Sequence, residues 1–457
     1  MEKVLPHNIE AEQGVLGSII LDPESVAQVI DFLAPTDFYR DAHRTIYATI
    51  MYLYSQHEPA DFITLCDMLE RTGSLENVGG PSYISSLLNE VPTSGHIAHY
   101  GHIVERTSIL RQLIHAAGQI AALAYEQGVE AQDALRRAEE IVFRVGKRAQ
   151  QASFAPMQHI MVEYVERLST IHEALRQHRS VITGVPTGYG VLDSLTGGLQ
   201  PTDLIILAGR PGIGKTALAT CIAYHAALKG RKKCAVFSLE MSQGQLGARL
   251  LAMVTGIDTQ RQRAGWIGED EWETVIAACG KIGQLPIWVN DTAGNPILSM
   301  RSQLRRLIAE TGGIDLVLVD YLQLVEPEEG ESRKHFENRT QEVGKIARGL
   351  KALAREFEVP VLALAQLSRE VEHRKPPRPL LSDLKESGDI EAAADMVLLL
   401  YREDYYARME KREHYTPTNL AELTIAKYRN GPVGEVALYF QDERTMFYNV
   451  EDVTHVE

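Results

Sequence analysis

Apolar residues along the chain fall into two regimes. Over residues 1–150 they recur at helical spacing, with turns between the runs and little strand signal. In Ala42–Tyr54 the residues Ile46, Tyr47, Ile50, Met51 and Tyr54 share one stripe. His102–Tyr125 carries Ile103, Leu110, Leu113, Ile114, Ile120 and Leu123, and Ala131–Val145 is expected to turn Leu135, Ala138, Ile141 and Val142 inward. The pattern breaks between Gln150 and Ser153. Pro156 then opens a separate amphipathic helix, with Ile160, Met161, Tyr164, Val165, Leu168, Ile171 and Leu175 on one stripe and Arg167, Arg176 and Arg179 off it. Such a stripe needs a partner, and its own domain and a neighbouring subunit are both open.

From Thr183 onward short apolar runs alternate with helical stretches, the pattern of a mostly parallel α/β sheet. The predicted strands are Leu204–Ala208, Ala235–Leu239, Ile287–Asn290, Leu316–Asp320, Val361–Leu364, Met396–Tyr401, Leu423–Lys427 and Val436–Phe440. The last two flank a turn containing Asn430-Gly431 and read as a hairpin at the sheet's edge. The expected organisation is a helical domain over 1–150, a linker with one amphipathic helix over 151–182, and an α/β domain over 183–457. A chain of 457 residues exceeds what one core ordinarily serves.

The run Gly209-Arg210-Pro211-Gly212-Ile213-Gly214-Lys215-Thr216 fits G-x-x-x-x-G-K-[ST], between the first predicted strand and an Ala-rich helical stretch that opens with Ala217. Glycines let backbone N–H groups curl around phosphates, Lys215 places a charge at the β/γ oxygens, and the Thr216 hydroxyl suits Mg²⁺. A nucleoside triphosphate hydrolase is therefore expected. Such a site also needs a carboxylate at the end of an apolar strand to hold Mg²⁺, and Asp320 fits. Glu240, where the second strand stops, is the candidate to polarise the attacking water; its alternative is an acid stabilised by the dipole of the next helix. Gln366, after the fifth strand, is a candidate γ-phosphate sensor or else a surface glutamine.

Lys427 and Arg429 lie two apart on a strand leading into the hairpin, so they share a face. They are either groups acting in trans on a neighbour's nucleotide or charges protecting an edge strand. The stretch 368–379, with Arg369, Arg374, Lys375 and Arg378, reads as an exposed basic loop, and the run 383–390 that follows offers Lys385 and Gly388 to a phosphate backbone.

Composition narrows the partners. Net charge is −15, and residues 1–150 hold 11 Lys and Arg against 20 Asp and Glu, so the front segment is the poorer nucleic-acid surface. No apolar stretch is long enough for a membrane span, and the start, Met1 to His7, has no signal-peptide character, so a cytoplasmic location is expected. The four cysteines are widely spaced and read as small buried hydrophobes, and His7, His43, His57, His96, His99 and His102 as surface or capping residues.

These segments together resemble the hexameric replicative helicases of bacteria, the DnaB type, within the RecA-like ATPases. The resemblance is carried by Pro6–Glu12, Thr187-Gly188-Tyr189 with Leu192-Asp193 and Thr196–Leu199, the phosphate loop, Phe237–Ser242, Val319–Leu324, Ala365–Arg369, Asp383–Gly388 and Ala426–Gly431. It implies a RecA-like ATPase domain with an all-α N-terminal collar that recruits primase, a domain-swapped linker helix, a homohexameric ring served by a loader, and 5′ to 3′ translocation on single-stranded DNA. By resemblance Glu240 is the catalytic carboxylate, Asp320 the Mg²⁺-associated acid, Gln366 the γ-phosphate sensor and Arg249 a further group at the nucleotide. Lys427 and Arg429 would reach the neighbour's nucleotide, and Lys385, Glu386 and Gly388 would hold the single strand. The family often has arginine at Lys385, and lysine keeps the charge without the fork. The rival reading is a RecA-like recombinase or clock-type ATPase that separates no strands.

Overall fold

A computed structural model describes residues 4–91, 93–126, 130–131, 133–135, 137–138, 141–142, 145, 157–176, 182–326, 339–384, 387–412 and 414–453. The chain divides into two compact units, Met1–Tyr164 and Val165–Glu457, with the division inside the helix Met157–Arg176.

The first unit is helical: Ile9–Leu21, Asp41–Ser55, Phe62–Arg71, Gly80–Asn89 and Ile97–Tyr125, joined by short 3₁₀ turns. Local chemistry sets the starts. Asn8 accepts from the Ala11 N–H at 2.9 Å, and Asp61 from the Thr64 N–H at 2.9 Å, each satisfying a donor the helix leaves unpaired. Val15, Leu16, Ile19, Ile46, Tyr47, Ile50, Leu65, Leu69, Ile84 and Leu87 form the core. Gly17 lets the first helix approach the fourth: a Cβ there would stand 2.3 Å from the Leu87 carbonyl oxygen.

Three expectations are corrected here. His43 is no surface histidine: it is fully buried, with Nδ1 2.6 Å from Glu12 Oε2 and Nε2 2.7 Å from the Tyr83 hydroxyl. Glu12 also accepts from the Tyr39 N–H at 2.6 Å, and it is this buried carboxylate that gives the imidazole its place. Second, Leu110, Leu113 and Ile114 are exposed, and in the partly described 131–145 stretch Leu135 and Val142 are exposed while Ile141 is buried. Third, Cys221 and Cys234 are buried as expected, but Cys66 is half-buried and Cys279 exposed.

In the helix Met157–Arg176 five residues of the predicted stripe, Ile160, Met161, Tyr164, Val165 and Leu168, are exposed and Ile171 is half-buried; Met157 and Val162, off the stripe, are exposed too.

The second unit is built on a nine-stranded sheet. Its strands are β1 Leu204–Gly209, β2 Cys234–Ser238, β3 Ile287–Asn290, β4 Leu316–Asp320, β5 Val361–Gln366, β6 Met396–Tyr401, β7 Leu420–Tyr428, β8 Gly434–Gln441 and β9 Met446–Asn449, in the order β3-β2-β4-β5-β1-β6-β7-β8-β9. β3 to β6 in that order pair in parallel, and β7, β8 and β9 extend the sheet antiparallel. Alternation along β1 sends Ile205 and Leu207 into one core, and Leu204, Ile206 and Ala208 into the other. A strand buried on both faces must be apolar throughout, which is why β1, β4 and β6 read so plainly. β9, a four-residue edge strand, was not among the predicted strands.

Among the described residues no helix is long and apolar enough to cross a membrane.

The close approach at Gly17 makes a simple test. Gly17→Ala should lower stability by about 1–3 kcal/mol, read as an earlier transition in chemical denaturation followed by far-UV circular dichroism; an unchanged midpoint would mean the two helices can separate freely.

Candidate nucleotide site

Parallel pairing brings the carboxyl ends of β1, β5, β4 and β2 to one edge, where open α/β sheets hold ligands. The register places Gly209 opposite Gln366 and Ser238 opposite Asp320. Three of the predicted positions, Gly209, Gln366 and Asp320, are thereby gathered before any side chain is considered.

The loop between β1 and the helix Lys215–Gly230 turns through Gly212 at φ 78° and Gly214 at φ 115°, a region that side chains disfavour. Gly214 also faces Phe447 of β9, whose ring would lie 3.1 Å from a Cβ. Lys215 opens the helix and is 9% exposed. Its Nζ donates to the carbonyls of Gly209 and Arg210, each at 2.9 Å, so the ammonium is folded back into its own loop. Burial pushes it down to about 8, against the pull of Asp320 and Glu240. Ala217 is buried in the same first turn.

Asp320 ends β4 at 3% exposure. Burial raises its carboxyl to about 6; a hydrogen bond from the Thr216 side chain, with Lys215 and Arg249, opposes the rise, and Glu240 adds to it. Its Oδ2 is buried with no hydrogen-bond partner. A hydroxyl beside a carboxylate with an unsatisfied oxygen suits a hard cation that keeps most of its own water, as Mg²⁺ does. No cluster of three or more metal-ligating side chains occurs among the described residues.

Glu240 is exposed, two residues past β2. The following helix, Gln243–Thr255, is capped by Ser242 with Gln245 in a reciprocal box, so Glu240 lies outside its first turn and does not serve as its dipole acid. It acts instead on Lys215, Asp320 and Arg249. Arg249, half-buried on that helix, has its guanidinium held below the ordinary value by burial, with Asp320, Cys221 and Glu240 opposing. The Gln366 N–H donates to Gln323 Oε1 at 3.4 Å.

Two arginines of the site were not foreseen. Arg402, directly after β6, is 4% exposed. Its Nη1 donates to the Ile213 carbonyl of the phosphate loop at 3.2 Å, its Nη2 meets Asp442 at 3.0 Å, and its guanidinium lies 3.7 Å from the centre of the Phe440 ring. The signal for it was an arginine closing an uninterrupted apolar strand, where a charge would otherwise be solvated. Arg210, inside the loop, gives Nε and Nη2 to Glu372 at 2.7 and 2.6 Å and Nη1 to the Leu367 carbonyl at 2.8 Å. Beyond Glu372, Arg374 forks onto buried Asp383 at 2.8 and 3.0 Å, and the Ser368 N–H donates to the Asp383 carbonyl at 2.7 Å. The basic stretch expected to be a loose loop is thus cross-braced, with one brace ending in the phosphate loop.

The remaining predicted residues lie elsewhere. Lys427 pairs with Val397, and Arg429 bonds through its N–H to Asp395, which is level with Leu204. Gly209 is five residues further along, about 16 Å away at 3.3 Å per residue. Lys385 and Glu386 lie outside the described residues; Gly388 sits in the first turn of the helix Ser387–Ala393, exposed.

Residues 184–449 match the model of the DnaB-like helicase C-terminal domain, and residues 4–106 that of the DnaB-like helicase N-terminal domain. The chain belongs to the DnaB-like helicase family. It is 42% identical over 450 residues to the replicative DNA helicase DnaC of Bacillus subtilis (strain 168), covering 98% of this chain and 96% of that one. It is 41% identical to the replicative DNA helicase DnaB of Geobacillus stearothermophilus, again covering 98% and 96%. A solved DnaB-like replicative helicase, described together with its interactions with primase, superposes with a TM-score of 0.75 at 32% identity, over 97% of this chain and all of that one. The fold and the enzyme class expected from sequence, an ATP-dependent helicase of the replicative DnaB type, are thereby established. The recombinase or clock-type alternative finds no support.

In this helicase the contact of Arg402 with the loop carbonyl predicts its weight. Arg402→Met, which keeps apolar packing on Phe440, should weaken ATP binding by about tenfold, the scale of one lost charge-assisted hydrogen bond; isothermal titration with a non-hydrolysable analogue measures it, and unchanged affinity would remove Arg402 from the site.

Proposed function

We propose that this chain is the subunit of a homohexameric ring that hydrolyses ATP to move 5′ to 3′ along single-stranded DNA and unwind the duplex ahead of it. Its parts are a collar over 1–150 that recruits primase, a linker over 151–182, and the motor over 183–457. A loader would place the ring on DNA in the cytoplasm. Primase enters by analogy with the solved relative described with it.

The observation that carries this reading is the separation within one subunit. The phosphate loop, Asp320 and Glu240 converge at one edge of the sheet, while Lys427 and Arg429 project from the opposite end of β7, too far to serve their own nucleotide. In a head-to-tail ring those cations meet the next subunit's ATP. The uncovered stripe of Met157–Arg176 supports the same arrangement, since a neighbouring subunit supplies the surface it lacks.

The loop from Gly209 through Gly212 and Gly214 to Ala217 binds the phosphates with its N–H groups, and the Lys215 ammonium leaves its own carbonyls to meet the β/γ oxygens. Thr216 and Asp320 would hold Mg²⁺, which neutralises charge developing on those oxygens. Glu240 takes a proton from the attacking water, Gln366 senses the γ-phosphate, and Arg249, Lys427 and Arg429 stabilise the transition state. Lys385, Glu386 and Gly388 grip the DNA backbone, and their grip changes as the nucleotide state changes.

Glu240→Gln should bind ATP normally and lose hydrolysis by at least about 10²-fold, with no unwinding; ordinary steady-state turnover in that variant would end the assignment. Unwinding of forked DNA carrying a single 5′ or 3′ tail, with ATP and Mg²⁺, tests the polarity: only the 5′-tailed fork should open, and chelation of Mg²⁺ should stop it.

A further inference from the structure

The outer arc of the phosphate loop, Pro211 and Gly212, is exposed, and an exposed arc containing glycine is free to take many shapes. Two of its carbonyls are nevertheless held, both from the short segment that follows β6. Arg402 Nη1 donates to the Ile213 carbonyl at 3.2 Å, and the Tyr405 hydroxyl donates to the Pro211 carbonyl at 2.8 Å. The Tyr405 ring also lies along Gly212, where a Cβ would stand 3.6 Å from it. Burial raises the Tyr405 hydroxyl above its ordinary value, so at neutral pH it keeps its proton and serves as a donor.

Tyr405 reaches the loop from a fixed base. It is the third residue of the helix Glu403–Met409, and its neighbours on either side are anchored. Asp404, fully buried, accepts from the Tyr415 hydroxyl at 2.5 Å, the Thr418 N–H at 3.0 Å and the Asn419 N–H at 2.7 Å. Tyr406 is buried, with its ring centre 5.5 Å from that of Tyr401 and 5.1 Å from that of Tyr405.

A trans peptide points its carbonyl and its N–H in opposite directions, and neither the Pro211–Gly212 nor the Ile213–Gly214 bond is cis. Holding both carbonyls from the side of the helix Glu403–Met409 therefore turns the N–H groups of Gly212 and Gly214 away from it. Backbone N–H groups turned to one side make a concavity that takes an anion. We propose that Tyr405 is a positioning residue for the phosphates of ATP: its hydroxyl keeps the outer arc of the loop in shape before nucleotide arrives, with the Gly212 N–H already aimed at a phosphate oxygen. This rests on the reading of Gly209–Ala217 as the phosphate site. Tyr405 touches the loop and not the nucleotide, and no bond or proton moves through it. Its effect is on binding, because a donor oriented in advance loses no freedom when the ligand lands.

The test uses the full-length protein with Mg²⁺. Titration measures affinity for a non-hydrolysable ATP analogue and for inorganic tripolyphosphate, which has the phosphates but neither base nor sugar. Steady-state hydrolysis gives KM and kcat, and mass spectrometry follows hydrogen exchange over residues 209–216 without nucleotide. Tyr405→Phe keeps the ring on Gly212 and removes only the donor. It should weaken both ligands by the same factor, about three- to tenfold, the scale of one neutral hydrogen bond. KM should rise with them while kcat moves far less, and exchange in the empty loop should quicken. Tyr405→Leu, which removes the ring as well, should weaken both ligands further. Unchanged tripolyphosphate affinity in Tyr405→Phe overturns the proposal, as does a fall in kcat with both affinities kept. A Tyr405→Leu variant that loses the ATP analogue but holds tripolyphosphate as before also overturns it, and makes Tyr405 a contact for the base. Lys215→Ala is the control: if it too leaves both affinities unchanged, it is the phosphate-loop reading that has failed.

Discussion

A lysine ammonium held at the end of a fully buried strand is the constraint around which the motor unit is built. Lys215 is 9% exposed, and taking its charge from water is costly unless oxygen surrounds it. Two carbonyls of its own loop, with Asp320 and Glu240 nearby, meet that need. The carbonyls point inward only because Gly212 and Gly214 take backbone angles closed to other residues. Asp320 is close only because β4 lies two strands from β1 in a parallel sheet that ends its strands at one edge. The same need explains the cost that Asp320 bears: its carboxyl is raised by burial and left with an unsatisfied oxygen. A nucleotide's phosphates and a cation would satisfy both residues together.

How much of this was legible in sequence depended on whether a residue's role was local. β4 and β6 were bounded at their observed ends because a strand buried on both faces is an almost unbroken apolar run. The phosphate loop was legible because its geometry is forced within eight residues. Arg402 and Arg210 were not, because their importance comes from sheet order: β6 and β5 flank β1, and that brings partners 189 and 162 positions apart into contact. His43 was misread for the same reason, since its burial depends on Glu12, 31 residues earlier. Lys427 and Arg429 were read as sharing a face, but their contacts with Glu391, Ala392 and Asp395 follow only from the β6–β7 pairing.

The apolar faces without cover make a second point about what one chain's sequence encodes. Leu110, Leu113 and Ile114 in the first unit, and the stripe from Met157 to Leu168, follow the same helical spacing as core residues, and periodicity alone cannot tell a core face from a subunit face. The helices are specified locally, and what covers their apolar faces is not.

The braces from Arg210 to Glu372 and from Arg374 to Asp383 bear on how the helicase answers to ionic strength. Binding to a phosphate backbone weakens steeply with salt, because it is driven by release of condensed counterions. Arg210 and Glu372 are 11% and 23% exposed and Asp383 only 2%, so these ion pairs are sheltered from the same screening. Salt that strips the protein from DNA thus leaves intact the internal strut from Glu372 to Arg210 that joins the basic stretch to the phosphate loop. Grip and linkage thus answer differently to salt, and a rise in ionic strength shortens the helicase's hold on DNA without loosening the brace inside the chain.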